Sequence, residues 1–435
     1  MVTMANNSFW DPKVETMPLE DLRSLQFERL RRVVRFAYEK NPVYHKRFEE
    51  AGVEPGDIRS LDDVSKLPML TKADLREYYP FGLACVSLSD VLELHASSGT
   101  TGKPVVGLYT KSDLEVWSEV MARGLYCQGL RSGDILQNAY GYGLFTGAHG
   151  FERGAQRIGA LVVPSSSGNT RRQINLLRDF GVVAIAATPS YVLYMAEVAE
   201  EMGFDPREDF KLRMGFFGAE AWSEEVREKI ESRWGIKAFE HYGLTELIGP
   251  GVSFDCPARR GLHVNADHFL MEVVDPESGE HVAPGEEGEL VFTSLTREAT
   301  PVIRFRTRDL ASYIEEECDC GRTLPRHGRI VGRSDDMLKV KGVIVFPTQI
   351  EEAVLKVDGA SENYLIVKRR KGVMTELLVR VEPTAERYAR GNLEEFGRRV
   401  GEELYAVLGL RIPVEVVKPG SIARSEGKAK RVVEE

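Results

Sequence analysis

Cysteine is scarce: five in 435 residues, at Cys85, Cys127, Cys256, Cys318 and Cys320. An odd, thinly spread set excludes a scaffold built on disulfides and suits a reducing compartment. Long apolar runs are missing as well. The longest, residues 182–187, falls far short of the ~18 residues a membrane helix needs, and it reads as a strand covered on both faces. The first dozen residues are polar, so no secretory signal is read there and the expected compartment is the cytoplasm. Excess positive charge is also lacking. Against 57 Lys and Arg stand 67 Asp and Glu, a net charge of −10. A field of that sign repels nucleic acid and anionic membrane, so neither is an expected partner, and any phosphate site must be built locally. What is present is ordinary globular composition, 43% hydrophobic and 29% charged, in a chain long enough for several folding units.

The texture changes along the chain. Residues 19–38 carry charged and apolar side chains at helical spacing, with Glu20 and Asp21 placed early, where they suit the helix dipole. From about Leu92, short β-rich runs (135–139, 160–164, 182–187, 214–217) alternate with helical patterns (170–179, 190–201, 223–234). That alternation predicts an α/β fold with a mostly parallel sheet covered by helices. Residues 269–313 predict a small antiparallel subdomain with turns at Asp275 to Gly279 and Pro284 to Gly288. A boundary falls at residues 332–336. Beyond it come a strand, a helix (348–357), two strands (363–367, 376–381), a long helix (392–408) and a strand (414–417), a compact α+β unit. The tail from Gly420 shows no apolar period.

Five segments stand out chemically. Ser97-Ser98-Gly99-Thr100-Thr101-Gly102-Lys103-Pro104 joins two glycines, four hydroxyls and a lysine, a composition that can turn backbone N–H groups toward a phosphate. It is not a Walker loop, because Ser97 replaces the first glycine and Pro104 follows the lysine. By itself it also reads as a polar surface loop. His241-Tyr242-Gly243-Leu244-Thr245-Glu246 follows a strand and offers a flat ring, a hydroxyl and a hard oxygen ligand for Mg²⁺. Arg304-Phe305-Arg306-Thr307-Arg308-Asp309 sets three cations around a carboxylate that could grip ribose hydroxyls; the plainer reading is a surface salt-bridge cluster. Gly332-Arg333-Ser334-Asp335-Asp336, with Lys339-Val340-Lys341-Gly342 after it, lies at the boundary. Arg424-Ser425-Glu426-Gly427-Lys428 lies in the tail.

Taken together and in this order, the segments resemble the adenylate-forming superfamily of acyl-CoA synthetases, adenylation domains and luciferases. Within it the chain resembles the phenylacetate–CoA ligase family from about Phe9 onward. The resemblance implies a large multi-sheet adenylation domain over residues 1–333 and a small mobile α+β domain over 334–435. It implies ATP, Mg²⁺ and CoA, an aryl acid as substrate, and a homodimer as the expected assembly. Ser98, Gly99, Thr100, Thr101, Gly102 and Lys103 would surround the ATP phosphates. Gly218, Ala219 and Glu220 would line the adenine, with Tyr242 against its ring and Gly243 beside it. Thr245 would touch the α-phosphate, Glu246 would hold Mg²⁺, and Asp309 would grip the ribose near Arg333. Tyr142, Gly143 and Phe145, with Ala187, Thr188, Pro189 and Tyr191, would form the acid pocket. Asp335 matches the hinge, and Lys428 the lysine that meets the carboxylate and α-phosphate. Where many superfamily members continue the phosphate loop with Pro-Lys-Gly, this chain has Pro104-Val105-Val106-Gly107; the phenylacetate branch also lacks that lysine. The resemblance leaves open benzoate-type or indoleacetate substrates, a carrier-protein or deazaflavin acceptor, and a nucleotide-binding regulator without turnover.

One set of residues lies outside those motifs. Cys318 and Cys320 form a tight pair, and Cys256 and His263 lie upstream. Three sulfurs and an imidazole match a closed structural zinc site, with His268 or His327 as alternatives to His263. Free thiols in loops are the plainer reading.

Overall fold

The computed structural model describes residues 9–97, 103–340, 343–371 and 374–435. Ser98, Gly99, Thr100, Thr101 and Gly102 of the hydroxyl-rich loop, and Lys341 and Gly342, lie outside the described residues. The described chain forms two compact units, one within residues 1–166, 183–186 and 239–329, the other within 167–182, 187–238 and 330–435.

In the first unit the helix Leu19–Lys40 buries Leu22, Leu30, Val33, Val34 and Ala37 along one stripe. Asn41 then accepts the N–H groups of Val43 and Tyr44, and Pro42 opens the helix Pro42–Glu50 where its missing N–H costs nothing. Tyr44 and Phe48 join Leu30, Val34, Leu270, Leu295 and Ile303 in one core. Each such side chain contributes about 1.5–3 kcal/mol on burial. The strands Leu161–Val163 and Ala184–Ala187 lie parallel on either side of Ile135–Asn138. Antiparallel strands follow: Lys237–Leu244, Gly249–Asp255 and Leu262–Val264 in succession, then Arg326–His327 beside the last. The expected antiparallel subdomain is the meander Phe269–Val274, Glu287–Ser294 and Phe305–Ile314. Its first turn is made by Asp275, whose carboxylate accepts from the N–H groups of Glu277 and Ser278.

In the second unit the helices Thr170–Asp179, Pro189–Glu201 and Glu224–Trp234 fall where the spacing predicts them, around the strand Met214–Gly218. Ser223 caps the third, and Gly235, at φ +68°, closes it in the left-handed conformation. The small sheet runs Val414–Val416, Met374–Pro383, Ala360–Lys371, Val432–Glu434. Helices Pro347–Leu355 and Leu393–Leu408 pack together and bury Ile350, Ala353 and Val354 on one, Phe396, Val400 and Leu404 on the other. The strand Val432–Glu434 is absent from the sequence reading. It pairs in parallel with residues 366–368. Three residues are too few to show a period, and the neighbouring strand supplies its order.

Candidate active site

The strands Val91–Ala96 and Val106–Thr110 form an antiparallel hairpin. Ser97 closes its open end, with its N–H on the Val105 carbonyl at 2.9 Å and its hydroxyl accepting the Val105 N–H at 2.9 Å. The hydroxyl- and glycine-rich segment is therefore carried between two paired strands. Lys103 is exposed, its ammonium 5.8 Å from the centre of the Tyr79 ring.

In the same unit the strand Lys237–Leu244 turns into Gly249–Asp255 through Thr245 and Glu246, with a register shift between Tyr242 and Gly243. A Cβ on Gly243 would lie 1.9 Å from the Gly249 carbonyl oxygen. Only glycine permits this crossing. Beside it, the Tyr242 hydroxyl donates to Asp309 Oδ2 at 2.7 Å, and the Asp309 N–H donates to the Thr307 hydroxyl at 3.0 Å. Asp309 is thus fixed by a ring expected against the adenine. The neighbouring arginines pair elsewhere: Arg304 grips Glu272 through Nε and Nη2, and Arg306 grips Glu289. His241, preceding Tyr242, is pushed down to about 3 by burial, and its Nε2 donates to Gln128 at 2.6 Å. It is a neutral structural imidazole.

Glu246 is buried, and its carboxylate meets the Lys72 ammonium at 2.9 Å. Its carbonyl, with those of Leu247 and Leu108, accepts from the Arg297 guanidinium, which lies 4.8 Å from the Tyr109 ring centre. Arg297 thereby ties the hairpin to the Thr245–Glu246 turn. The Thr245 hydroxyl is 3.5 Å from that of Thr146. Lys72 and Arg297 are absent from the sequence reading, since a lone lysine or arginine far from a motif carries no local signal. Glu246 suits Mg²⁺ in its chemistry: a single buried hard-oxygen donor already holding a cation, with phosphate oxygens of a nucleotide as the usual remaining ligands. Tyr142 is half-buried, its hydroxyl accepting from Asn138 Nδ2 at 3.1 Å and its own acidity suppressed by burial. Gly143 is exposed at φ +115°, and the Phe145 ring lies where a Cβ on Gly147 would stand 2.5 Å away.

The second unit holds the remaining expected residues. Gly218 ends its strand, and Ala219 has φ +72°, a costly conformation for alanine. Glu220 follows, accepting from the Ser190 and Ala429 N–H groups at 2.8 and 3.1 Å. Ala187 is buried, Thr188 caps the next helix, and Pro189 starts it. Tyr191 is buried, its hydroxyl 3.2 Å from that of Thr170 and accepting from Gln173 at 3.0 Å; burial pushes its pKa up to about 12. Arg333 pairs with Asp335 at 2.9 Å. Lys428 is exposed, on the segment between the small sheet's last two strands.

The family pattern described as "AMP-binding enzyme" matches residues 51–296, and that described as "AMP-binding enzyme C-terminal domain" matches residues 342–435. The phenylacetate-coenzyme A ligase of Thermus thermophilus is 44% identical, over 98% of this chain and 99% of that one. The enzyme of the same name from Escherichia coli is 43% identical, over 99% and 98%. A solved structure of 2-hydroxyisobutyryl-CoA ligase in the postadenylation state, bound to an acyl-AMP (R3-HIB-AMP), superposes with a TM-score of 0.94 at 33% identity, covering all of this chain and 94% of that one. This chain belongs to the AMP-binding enzyme family. With these relatives and neighbours it is an AMP-forming acid–CoA ligase. The mixed α/β architecture with a separate C-terminal sheet is that family's.

This AMP-binding family member also gathers a second site in its first unit. Cys256, His263, Cys318 and Cys320 are all buried, with ligand atoms within 4.8 Å of one another. Cys256 Sγ and Cys318 Sγ are 3.6 Å apart, and Cys320 Sγ is 3.3 Å from His263 Nε2. His263 Nδ1 faces the Leu324 carbonyl at 3.4 Å, which leaves Nε2 directed at the sulfurs. Of the three histidines, His263 is the one that joins. His268 pairs with Thr296 and Asp267, and His327, pushed down to about 4 by burial, pairs with Ser253. All five cysteines are free thiols.

Proposed function

We propose that this chain is an aryl-acid–CoA ligase with phenylacetate as its acid, working in the cytoplasm. The observation that carries the reading is the near-complete match to phenylacetate-coenzyme A ligases at 43–45% identity. A carboxylate is a poor electrophile because its charge is delocalised. Its oxygen attacks the α-phosphorus of ATP, an acyl–O–P bond forms, the α–β P–O bond breaks, and pyrophosphate leaves. The CoA thiol then loses its proton and attacks the acyl carbon, the acyl–O bond breaks, and AMP leaves.

Asp309, held by Tyr242, accepts from the ribose hydroxyls. Gly218, Ala219 and Glu220 border the adenine. Residues 98–103 and Thr245 donate to the phosphates. Bound at Glu246, Mg²⁺ would neutralise the charge that builds on the phosphate oxygens. Lys428 supplies the cation that lets two anions meet in adenylation, worth on the order of 10²–10³ in rate for a group aimed at transition-state charge. Arg333 serves the ribose, and Asp335, paired with Arg333, is the pivot between half-reactions. Tyr142, Gly143 and Phe145 are assigned to the acid, as are Ala187, Thr188, Pro189 and Tyr191. The four-ligand cluster holds a structural Zn²⁺. Three thiolates and an imidazole with its second nitrogen anchored are the donor set of closed zinc sites.

The test is a panel of phenylacetate, benzoate, indoleacetate and aliphatic acids with ATP and Mg²⁺, with and without CoA. Pyrophosphate and a thioester with phenylacetate are expected. Pyrophosphate without thioester would point to another acceptor. Preference for another acid would overturn the phenylacetate assignment.

A further inference from the structure

The segment that carries Lys428 is held by a set of contacts that the sequence reading gives to other tasks. The Gly427 carbonyl, on the peptide bond before Lys428, accepts from the Thr188 hydroxyl at 3.0 Å and the Ser190 hydroxyl at 3.2 Å. The Ala429 N–H, on the peptide bond after Lys428, donates to Glu220 Oε2 at 3.1 Å. The carbonyl of Lys428 itself accepts from the Ser425 hydroxyl at 2.9 Å. Both peptide planes that flank the lysine Cα are therefore fixed.

The holding groups are themselves fixed. Thr188 caps the helix Pro189–Glu201 by accepting the Tyr191 N–H, so its hydroxyl proton is left to donate to Gly427. The second oxygen of Glu220 accepts the Ser190 N–H at 2.8 Å, at the start of that helix where a carboxylate suits the dipole. Ala219 holds its left-handed φ one residue before. Two outer contacts repeat the pattern. Glu426 accepts from the Thr170 hydroxyl at 2.9 Å, and Arg424 joins Glu197 at 3.1 Å and Glu382 at 2.9 Å.

We propose that Thr188, Ser190, Glu220 and Thr170 are positioning residues for Lys428: they seat the Arg424-to-Ala429 segment so that its ammonium is presented for adenylation. The proposal rests on the ligase reading above. Thioester formation needs no such presentation, so the seat serves one half-reaction only. Two of its members, Thr188 and Glu220, thereby do more than line a pocket.

The test pairs Ser190→Ala with Glu426→Ala, two side chains outside the nucleotide and acid sites. Amide hydrogen exchange in the peptide spanning residues 424–431 should speed up at least tenfold. Phenylacetate-dependent ATP–pyrophosphate exchange should fall about tenfold in kcat with KM for ATP unchanged. Thioester formation from supplied phenylacetyl-AMP and CoA should stay within twofold, which also reports an intact fold. Unaltered amide exchange, or equal loss in both half-reactions, overturns the proposal while leaving the ligase reading in place. Wild-type protein without acid-dependent pyrophosphate exchange would overturn the ligase reading, and this role with it.

Discussion

At Gly243 the backbone passes so close to the Gly249 carbonyl that a Cβ would stand 1.9 Å from its oxygen. Backbone cannot move aside as a flexible side chain can. Gly243→Ala should therefore cost about 1–3 kcal/mol or more, as overpacking does, and it should raise the KM for ATP by displacing Tyr242 and Thr245. Chemical denaturation and ATP titration of the variant check both; a variant as stable as wild type with unchanged KM would refute the steric account. The glycine was legible as part of a motif, but its cause was not, because the clash is with a residue on the next strand. Lys72 and Arg297 show the opposite case. Each is part of the local geometry, one against Glu246 and the other bridging Leu108, Glu246 and Leu247, yet neither has neighbours in sequence that betray it.

The helices Thr170–Asp179, Pro189–Glu201 and Glu224–Trp234 were readable because apolar spacing is a local signal, joined in the last two by the caps Thr188 and Ser223. The strand Val432–Glu434 was not, because its order comes from residues 366–368. The cysteine cluster was half readable. The Cys318, Cys320 pair is visible in sequence, but the choice of His263 over His268 and His327 depends on strand register, which sets His263 opposite Arg326 in the strand just beyond Cys320. The cluster joins the end of Gly249–Asp255, the strand Leu262–Val264 and the turn after Phe305–Ile314. Close by, Arg322 pairs with the buried Glu15 at 2.6 Å, and Thr323 donates to the Glu15 carbonyl. Zinc by elemental analysis should be near one per chain. Cys318→Ser with Cys320→Ser should abolish it, lower the thermal midpoint and loosen the segment around Trp10 and Glu15 in hydrogen exchange. Wild type free of zinc after purification in zinc-supplemented medium would dismiss the metal.

For the whole molecule, family membership was legible in the order of its motifs, while the contacts that seat Lys428 were not, since Thr188, Ser190 and Glu220 lie more than two hundred residues from it. If the lysine serves adenylation alone, Lys428→Ala should lower pyrophosphate exchange by about 10²–10³ and leave thioester formation from supplied phenylacetyl-AMP within a few-fold. Equal losses would refute the division of labour. The strand Val432–Glu434 gives this lysine a further property. Its segment is anchored on both sides, upstream by Ile422 and Arg424 on Glu382 and downstream by pairing with Ile366 to Lys368. A chain pinned twice explores far fewer positions than one pinned once, and the closure entropy is already spent when the protein folds. The ammonium thus has a high effective concentration at its seat. Fraying of three residues remote from any chemistry would dilute it, so variants in that short strand should mimic, in weaker form, loss of the lysine itself.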